Sequence, residues 1–119
     1  MIIKVLQLNC QKKEVSTRSI LNRKDADILL LQEPYIISKT KIPITQDNRW
    51  IAIYDESSTE KIRAVTYIKK HTRIPSMTTV SKWTNSDMVG IEIGQVTLLN
   101  IYNQKNNCPH HEEGVLTFY

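Results

Sequence analysis

The apolar positions of this chain fall into short runs separated by polar segments, a pattern typical of strands. The run Ile28–Leu31 consists of four consecutive apolar residues between Asp27 and the polar pair Gln32–Glu33. A short run without polar alternation predicts an interior strand of a covered sheet, because both of its faces are buried. Pro34 ends this strand, since it cannot donate to a central ladder. The pattern therefore puts a carboxylate at the mouth of a buried strand, where open α/β folds hold metals and ligands.

A second apolar run, Ile2–Leu8, predicts a first, mostly buried strand that ends at Asn9. Between the two strands, Ser16–Lys24 is predicted to be a helix with its first residue as the N-cap. Val15 and Ile20 would then form a hydrophobic staple at the start of this helix. A strand–helix–strand unit of this length predicts a parallel pair of strands with a right-handed crossover.

The remainder of the chain predicts mostly antiparallel strands joined by polar loops. Gly94–Gln95 fits a two-residue hairpin turn whose first central position favours glycine. Segments 35–48 and 73–85 are predicted to be irregular, and 104–111 is predicted to be a polar loop. The apolar residues of a last segment begin after Glu113. The predicted strands of this part are Trp50–Tyr54, Ile62–Ile68, Val89–Ile93 and Val96–Tyr102.

Length and composition predict one domain with a real core, since the chain has 119 residues of which 40% are hydrophobic. The net charge of +4 suits a polyanionic partner such as nucleic acid, but proteins without such a partner also carry it. Cys10 and Cys108 fit no metal-ligand spacing and favour a reducing compartment. The sequence shows no signal peptide and no apolar run of membrane-spanning length. We therefore expect a soluble intracellular protein, nuclear or cytoplasmic.

Short motifs occur in a defined order at the ends of the predicted strands: Leu8–Asn9, Leu31–Gln32–Glu33–Pro34 and Leu99–Asn100–Ile101–Tyr102. Together they resemble the N-terminal half of the endonuclease/exonuclease/phosphatase family, the fold of DNase I and of apurinic endonucleases. Two stretches, segment 63–70 and Gln32–Glu33–Pro34–Tyr35, are most similar to endonuclease domains of non-LTR retroelements. The resemblance covers nearly the whole chain. It implies an α/β fold, the N-terminal half of a DNase I-like four-layer α/β sandwich, with residues 1–119 forming a partial domain.

The resemblance also implies metal-dependent phosphodiester hydrolysis of DNA. Glu33 would bind Mg²⁺ or Mn²⁺, Asn9 would help to hold the metal site and the scissile phosphate, and Tyr102 would contact or orient that phosphate. A hard cation prefers oxygen ligands, and an amide or a phenol can donate to phosphate oxygens without adding charge. Each residue also has a purely structural interpretation. Glu33 could be a solvated residue at a strand end, and Asn9 could satisfy backbone groups there by hydrogen bonds. Tyr102 could be a half-buried aromatic residue of a strand.

The sequence departs from the family in its second half. It contains neither the Gly–Asp–Phe–Asn motif nor the final Ser–Asp–His motif, which supply the water-activating aspartate, a phosphate-binding asparagine and the catalytic Asp–His pair. His71, His110 and His111 are predicted to be surface residues and not replacements. We therefore expect a fragment that binds metal weakly and is inactive alone. We also expect an exposed apolar face, which either self-associates or is covered by the missing C-terminal half.

Two alternatives to a nuclease remain open at this point. The chain could be a non-catalytic remnant that binds nucleic acid or a protein partner. It could also be an unrelated α/β binding module in which the motif matches are coincidental. A sheet order unlike that of the family would favour the second alternative.

Overall fold

The computed structural model describes residues 1–45, 48–102 and 111–117, the last of these as backbone only except for Gly114. Within these residues the chain is mostly strands in two sheets, with one α-helix and a short 3₁₀ turn at Pro75–Met77. The elements are β1 (Ile2–Asn9), α1 (Glu14–Leu21), β2 (Ile28–Gln32), β3 (Trp50–Ile53), β4 (Ala64–Lys69), β5 (Thr78–Val80), β6 (Met88–Ile93), β7 (Val96–Ile101) and β8 (His111–Thr117).

The larger sheet has five strands in the order β3-β4-β2-β1-β8. Strands β1 and β2 are parallel, with Asn9 opposite Gln32, and the other neighbours are antiparallel. The predicted parallel pair is therefore confirmed. The smaller sheet has three antiparallel strands in the order β5-β6-β7.

Strand β2 lies at the centre of the fold because both of its faces are covered. Its residues Leu29 and Leu31 pack in one core cluster with the helix residues Ile20 and Leu21. Trp50 belongs to the same cluster, and its indole nitrogen donates to the carbonyl oxygen of Leu21 at 2.8 Å. Trp50 is therefore a packing residue of this core.

The opposite face of the larger sheet packs against the smaller sheet. Ile28 and Leu30 of β2 share a second core cluster with Val89, Ile91 and Ile93 of β6. Each such side chain contributes about 1.5–3 kcal/mol when fully buried. The result is three layers, with α1, the five-stranded sheet and the three-stranded sheet stacked in that order.

The hairpin between β6 and β7 is confirmed. Ile93 pairs with Val96, which leaves Gly94 and Gln95 as the two turn residues. Gly94 has a φ of 58°. This left-handed conformation is the one that favours glycine at the first central position of such a turn.

Both predicted bounds of the helix, Ser16 and Lys24, are wrong, and the helix ends at Leu21. The helix begins at Glu14, with Lys13 as its N-cap, so Ser16 lies inside it. Val15 is 81% exposed and therefore forms no hydrophobic staple. An acidic residue in the first turn is favourable at a helix N-terminus, and Glu14 also pairs with Arg18 at 2.8 Å. No helix in the described ranges is long and apolar enough to cross a membrane.

One short strand and the first residue of another strand lie where the sequence predicted irregular structure or a loop. Strand β5 lies within segment 73–85 and pairs only with β6. Strand β8 begins at His111, which pairs with Leu8. The prediction that His111 belongs to a loop is therefore wrong. His71 is exposed, as predicted, and His110 lies outside the described residues.

Candidate functional site

The carboxyl ends of the parallel strands bring Asn9 and Glu33 to one end of the five-stranded sheet. Asn9 lies opposite Gln32, and Glu33 is the next residue along the chain. The backbone nitrogen of Cys10 donates to the carbonyl oxygen of Gln32 at 2.8 Å, and that of Lys12 donates to Glu33 at 2.7 Å. The loop after β1 is therefore tied to the end of β2.

Tyr102 reaches the same end of the sheet through Arg63, the residue before β4. The backbone nitrogen of Glu33 donates to the carbonyl oxygen of Arg63 at 2.7 Å. The guanidinium carbon of Arg63 lies 5.5 Å from the ring centroid of Tyr102. Asp87 completes the arrangement, since its carboxylate lies 3.5 Å from Arg63 and its carbonyl accepts from the backbone nitrogen of Tyr102 at 2.8 Å. Asn9 and Glu33 thus lie on neighbouring strand ends, and Arg63 links Tyr102 to the same end of the sheet, while the roles of the three residues stay predictions.

The backbone around this site contains left-handed residues that are not glycine. Gln11, Lys12 and Glu33 have φ values of 53°, 61° and 46°, respectively. This conformation costs an L-residue about 1–2 kcal/mol, and such strain is concentrated at functional sites. The hydrogen bonds of Lys12 and Glu33 described above hold the strained turn in place.

The side chain of Asn9 supports that turn. Its Oδ1 atom accepts a hydrogen bond from the backbone nitrogen of Gln11 at 2.9 Å. This is the structural role considered for Asn9 from the sequence, an amide that satisfies the backbone at a strand end. This hydrogen bond supports the turn in which Lys12 lies beside Glu33.

The charged groups at the site include the mostly buried Glu33 carboxylate beside Lys12 and the partly exposed Asp87 carboxylate beside Arg63. The Glu33 side chain is 15% exposed, and its Oε2 atom lies 3.7 Å from Nζ of Lys12. The neighbouring Lys12 side chain and burial lower the pKa of Lys61, while the charge of Glu33 raises it. Lys12, Lys61 and Arg63 are called the basic cluster below. The sequence did not single out Lys12 for the site, because the loop after β1 alone brings it beside Glu33.

A metal at this site would have a small set of protein ligands. Among the described residues, no three His, Cys, Asp or Glu side chains group together as a metal site. Mg²⁺ commonly takes one or two carboxylates and retains several waters. Glu33 fits such a weakly held, mostly hydrated ion, provided that the Lys12 ammonium group moves aside.

Thr17 anchors the segment that follows Glu33. Its hydroxyl accepts a hydrogen bond from the backbone nitrogen of Tyr35 at 2.8 Å and donates to the carbonyl oxygen of Lys13 at 2.9 Å. Helix α1 therefore fixes the exit of the chain from the site.

Asn100 is a residue of the third motif to which the sequence assigned no role. It is fully buried between the sheets, and its Oδ1 atom accepts from Nε2 of Gln32 at 2.6 Å. Its amide nitrogen donates to Leu31, Val65 and Thr66. The alternation Val96, Leu98, Asn100 was the available signal, because it puts Asn100 on the inward face of β7.

A groove of about 660 Å³ lies next to the basic cluster, between the loops 36–42 and 54–62. Lys61 lines it, together with Asp55, Glu56 and Glu60. These carboxylates repel a phosphate backbone, so the groove does not extend the basic surface.

No protein-family model matches this chain, and no curated protein matches it. The family resemblance therefore rests on the sequence motifs alone.

Proposed function

We propose that this chain is part of a metal-dependent phosphodiesterase that cleaves DNA, of the kind found in non-LTR retroelements. The observation that carries the proposal is the convergence of Asn9, Glu33 and Tyr102 at one end of the larger sheet, beside the basic cluster. An enzyme that cuts a polyanion needs both a carboxylate for its metal and cations for its substrate. The layer order of helix, sheet and sheet further supports the N-terminal half of a DNase I-like four-layer sandwich.

In this proposal each residue has one task. Glu33 holds Mg²⁺, which supplies positive charge at the phosphate when it is bound. Tyr102 donates its phenol to a phosphate oxygen, and Arg63 steadies the Tyr102 ring from one side. Asn9 contributes by holding the turn that carries Lys12.

The metal assignment can be tested with paramagnetic Mn²⁺ and amide NMR spectra of the 119-residue chain. We expect Mn²⁺ to broaden the signals of Asn9, Glu33 and Tyr102 first, and Glu33→Gln to abolish this effect. Glu92→Gln is the control, since Glu92 is an exposed carboxylate on β6. Broadening that survives Glu33→Gln, or that begins elsewhere, would contradict the proposal.

We also predict that the 119-residue chain alone does not cut DNA at an enzymatic rate. It lacks the family's water-activating aspartate and Asp–His pair, and a catalytic unit loses most of its rate when one member is removed. The measurement is nicking of supercoiled plasmid with Mg²⁺, with Glu33→Ala alongside. Robust nicking that Glu33→Ala abolishes would show this prediction to be wrong.

A second candidate function is nucleic-acid binding without catalysis. The observation that favours it is the contact of 3.7 Å between Lys12 and Glu33, in which the ammonium group competes with a metal for the carboxylate. DNA binding without Mn²⁺ broadening at Glu33 would select this function over the first.

A further inference from the structure

We infer that a second site of this chain, called the cationic pocket below, binds the phosphate group of a ligand through Arg49 and Lys69. The pocket is a cavity of about 260 Å³. One aromatic and four cationic residues line it: Trp50, Arg23, Lys24, Arg49 and Lys69. The inference depends neither on Glu33 nor on the proposal that the chain belongs to an enzyme that cuts DNA.

The cationic pocket lies at the other end of the five-stranded sheet from the proposed metal site. Trp50 begins β3 and pairs with Lys69, the last residue of β4. Ala64, the first residue of β4, pairs with Gln32, which precedes Glu33. The strand between Ala64 and Lys69 spans about 17 Å, so the pocket and the metal site are separate.

The first argument is that the two central cations have neutral partners. Nη2 of Arg49 donates to Oδ1 of Asn22 at 2.8 Å, and Nζ of Lys69 donates to the carbonyl oxygen of Lys24 at 2.9 Å. Within the described ranges, no carboxylate forms an ion pair with Lys24, Arg49 or Lys69. Their positive charges are therefore available to an anion.

Asp25, which is close to the pocket in sequence, does not change this balance. Its carboxylate is shared by Arg23 and Lys4, at 2.8 Å from each. One negative charge already serves these two cations, so it does not also neutralise Arg49 and Lys69.

The second argument is that both cations are held in place with hydrogen-bond donors to spare. A guanidinium group has five N–H donors and an ammonium group has three, and each uses one in the side-chain hydrogen bonds above. The backbone nitrogen of Lys70 donates to the carbonyl oxygen of Arg49 at 2.9 Å, which fixes the spacing of the two strands here. A planar guanidinium fork beside an ammonium group suits the oxygens of a phosphate.

Cations at this place could instead complement the C-terminal end of α1. The last four carbonyl oxygens of the helix, at residues 18–21, already accept hydrogen bonds from two backbone nitrogens and from the Trp50 indole. The end of a helix carries only about half a negative charge. Lys24, Arg49 and Lys69 together exceed what the helix needs.

The third argument concerns access and shape. Arg49 and Lys69 are partly buried and Lys24 is exposed, so a ligand can enter from solvent. Trp50 is 3% exposed and is held by its hydrogen bond to Leu21, so it forms a fixed wall. Partial burial strengthens the attraction between a cation and an anion relative to open water. Inorganic phosphate and the backbone of a nucleic acid share this chemistry, and the experiment separates them.

The test is a titration of the 119-residue chain with inorganic phosphate at constant ionic strength, followed by amide NMR spectra. We expect saturable shifts of the backbone signals of Arg49 and Lys69 and of the indole signal of Trp50. Arg49→Gln and Lys69→Gln should each weaken the affinity about three- to tenfold. Glutamine keeps a polar end without the charge, and unchanged spectra away from the pocket show that both variants fold.

Lys70→Gln is the matched control. Lys70 is an exposed cation that follows Lys69 in the chain, yet it does not line the cationic pocket. Removal of the same charge one residue away should change the affinity by less than about twofold, because exposed charges are worth little in salt.

A second measurement distinguishes the two sources of phosphate. It is fluorescence anisotropy of a labelled DNA duplex with the same variants. If Arg49→Gln and Lys69→Gln weaken duplex binding as much as phosphate binding, the pocket holds the backbone of a nucleic acid. If they weaken only phosphate binding, the ligand is a small phosphate compound.

Three outcomes would overturn the inference. The first is a chain that shows no saturable shift with phosphate and whose pocket variants bind the duplex unchanged. The second is a set of shifts that grow linearly and spread over exposed lysines far from the pocket. The third is an equal effect of Lys69→Gln and Lys70→Gln, since charge alone and not the pocket would then attract the anion.

Discussion

At the scale of single residues, Asn100 joins the two sheets directly behind the site. Asn100→Ala would leave the amide of Gln32 and the carbonyls of Leu31 and Val65 without this partner in a buried place. Because buried polar groups without a partner are costly, we expect the free energy of unfolding to fall by about 2–4 kcal/mol. Urea unfolding measures this change.

The control for Asn100 is Thr97→Ala on the same strand. Thr97 is exposed on the outer face of β7, so its replacement should change the free energy of unfolding by less than about 0.5 kcal/mol. Equal effects of the two substitutions would mean that Asn100 is not a buried link between the sheets.

The buried thiol of Cys10 leads to a prediction of how stability depends on pH. Burial raises the pKa of its thiol to about 11, while the hydrogen bond with Thr17 lowers it. In the unfolded chain the thiol ionises near about 8.5, so above that pH the unfolded state loses a proton that the folded state retains. The free energy of unfolding should therefore fall as pH rises toward 11, by at most about 1.4 kcal/mol per pH unit from this group.

The comparison of Cys10→Ala with the unmodified chain isolates this contribution. The difference in free energy of unfolding between the two should be constant at neutral pH and should shrink at alkaline pH. Burial also raises the pKa of Tyr67, whose contribution remains in both proteins. Parallel pH profiles of the two proteins would contradict a buried Cys10.

At the scale of elements, the start of α1 gives a paired prediction. Val15 is 81% exposed and Ile20 is 6% exposed. Val15→Ala should leave stability unchanged or raise it slightly, because alanine is the better helix former. Ile20→Ala should lower the free energy of unfolding by about 2–4 kcal/mol, because it removes core packing. If thermal unfolding shows a large loss of stability for Val15→Ala, the hydrophobic staple and the helix start at Ser16 would be supported instead.

At the scale of the whole molecule, the outer face of the smaller sheet is the candidate for self-association. Leu99 and Ile101 point away from the core on β7 and are 44% and 52% exposed. Exposed apolar residues that adjoin each other favour association, and β7 is an edge strand without a charged residue. We expect sedimentation velocity to show association that Leu99→Lys weakens.

Ile42→Lys is the control for Leu99→Lys. Ile42 is 53% exposed in a loop far from β7 in sequence, so the same charge there should leave association unchanged. If both substitutions weaken association equally, the added charge and not the face of β7 is responsible.

The sequence by itself determined the central architecture. Four apolar residues at Ile28–Leu31 could only be stable with both faces covered, so a buried strand followed from local composition. The spacing to Ile2–Leu8 then required a parallel pair, and glycine at Gly94 specified the hairpin turn. Motifs at strand ends also made Asn9, Glu33 and Tyr102 candidates for a site, and their roles stay predictions. The buried strand and the hairpin turn depend on residues close together in the chain.

Only the tertiary structure decided those features that depend on contacts between residues distant in sequence. Strand β5 has weak patterning of its own and exists because β6 offers it an edge. Asn100 carries a buried network because the two sheets bring Gln32 against it. Lys12 lies beside Glu33 because the loop after β1 folds over the end of β2. Periodicity records which face of an element is buried, but it does not record which residue of another element lies across from it.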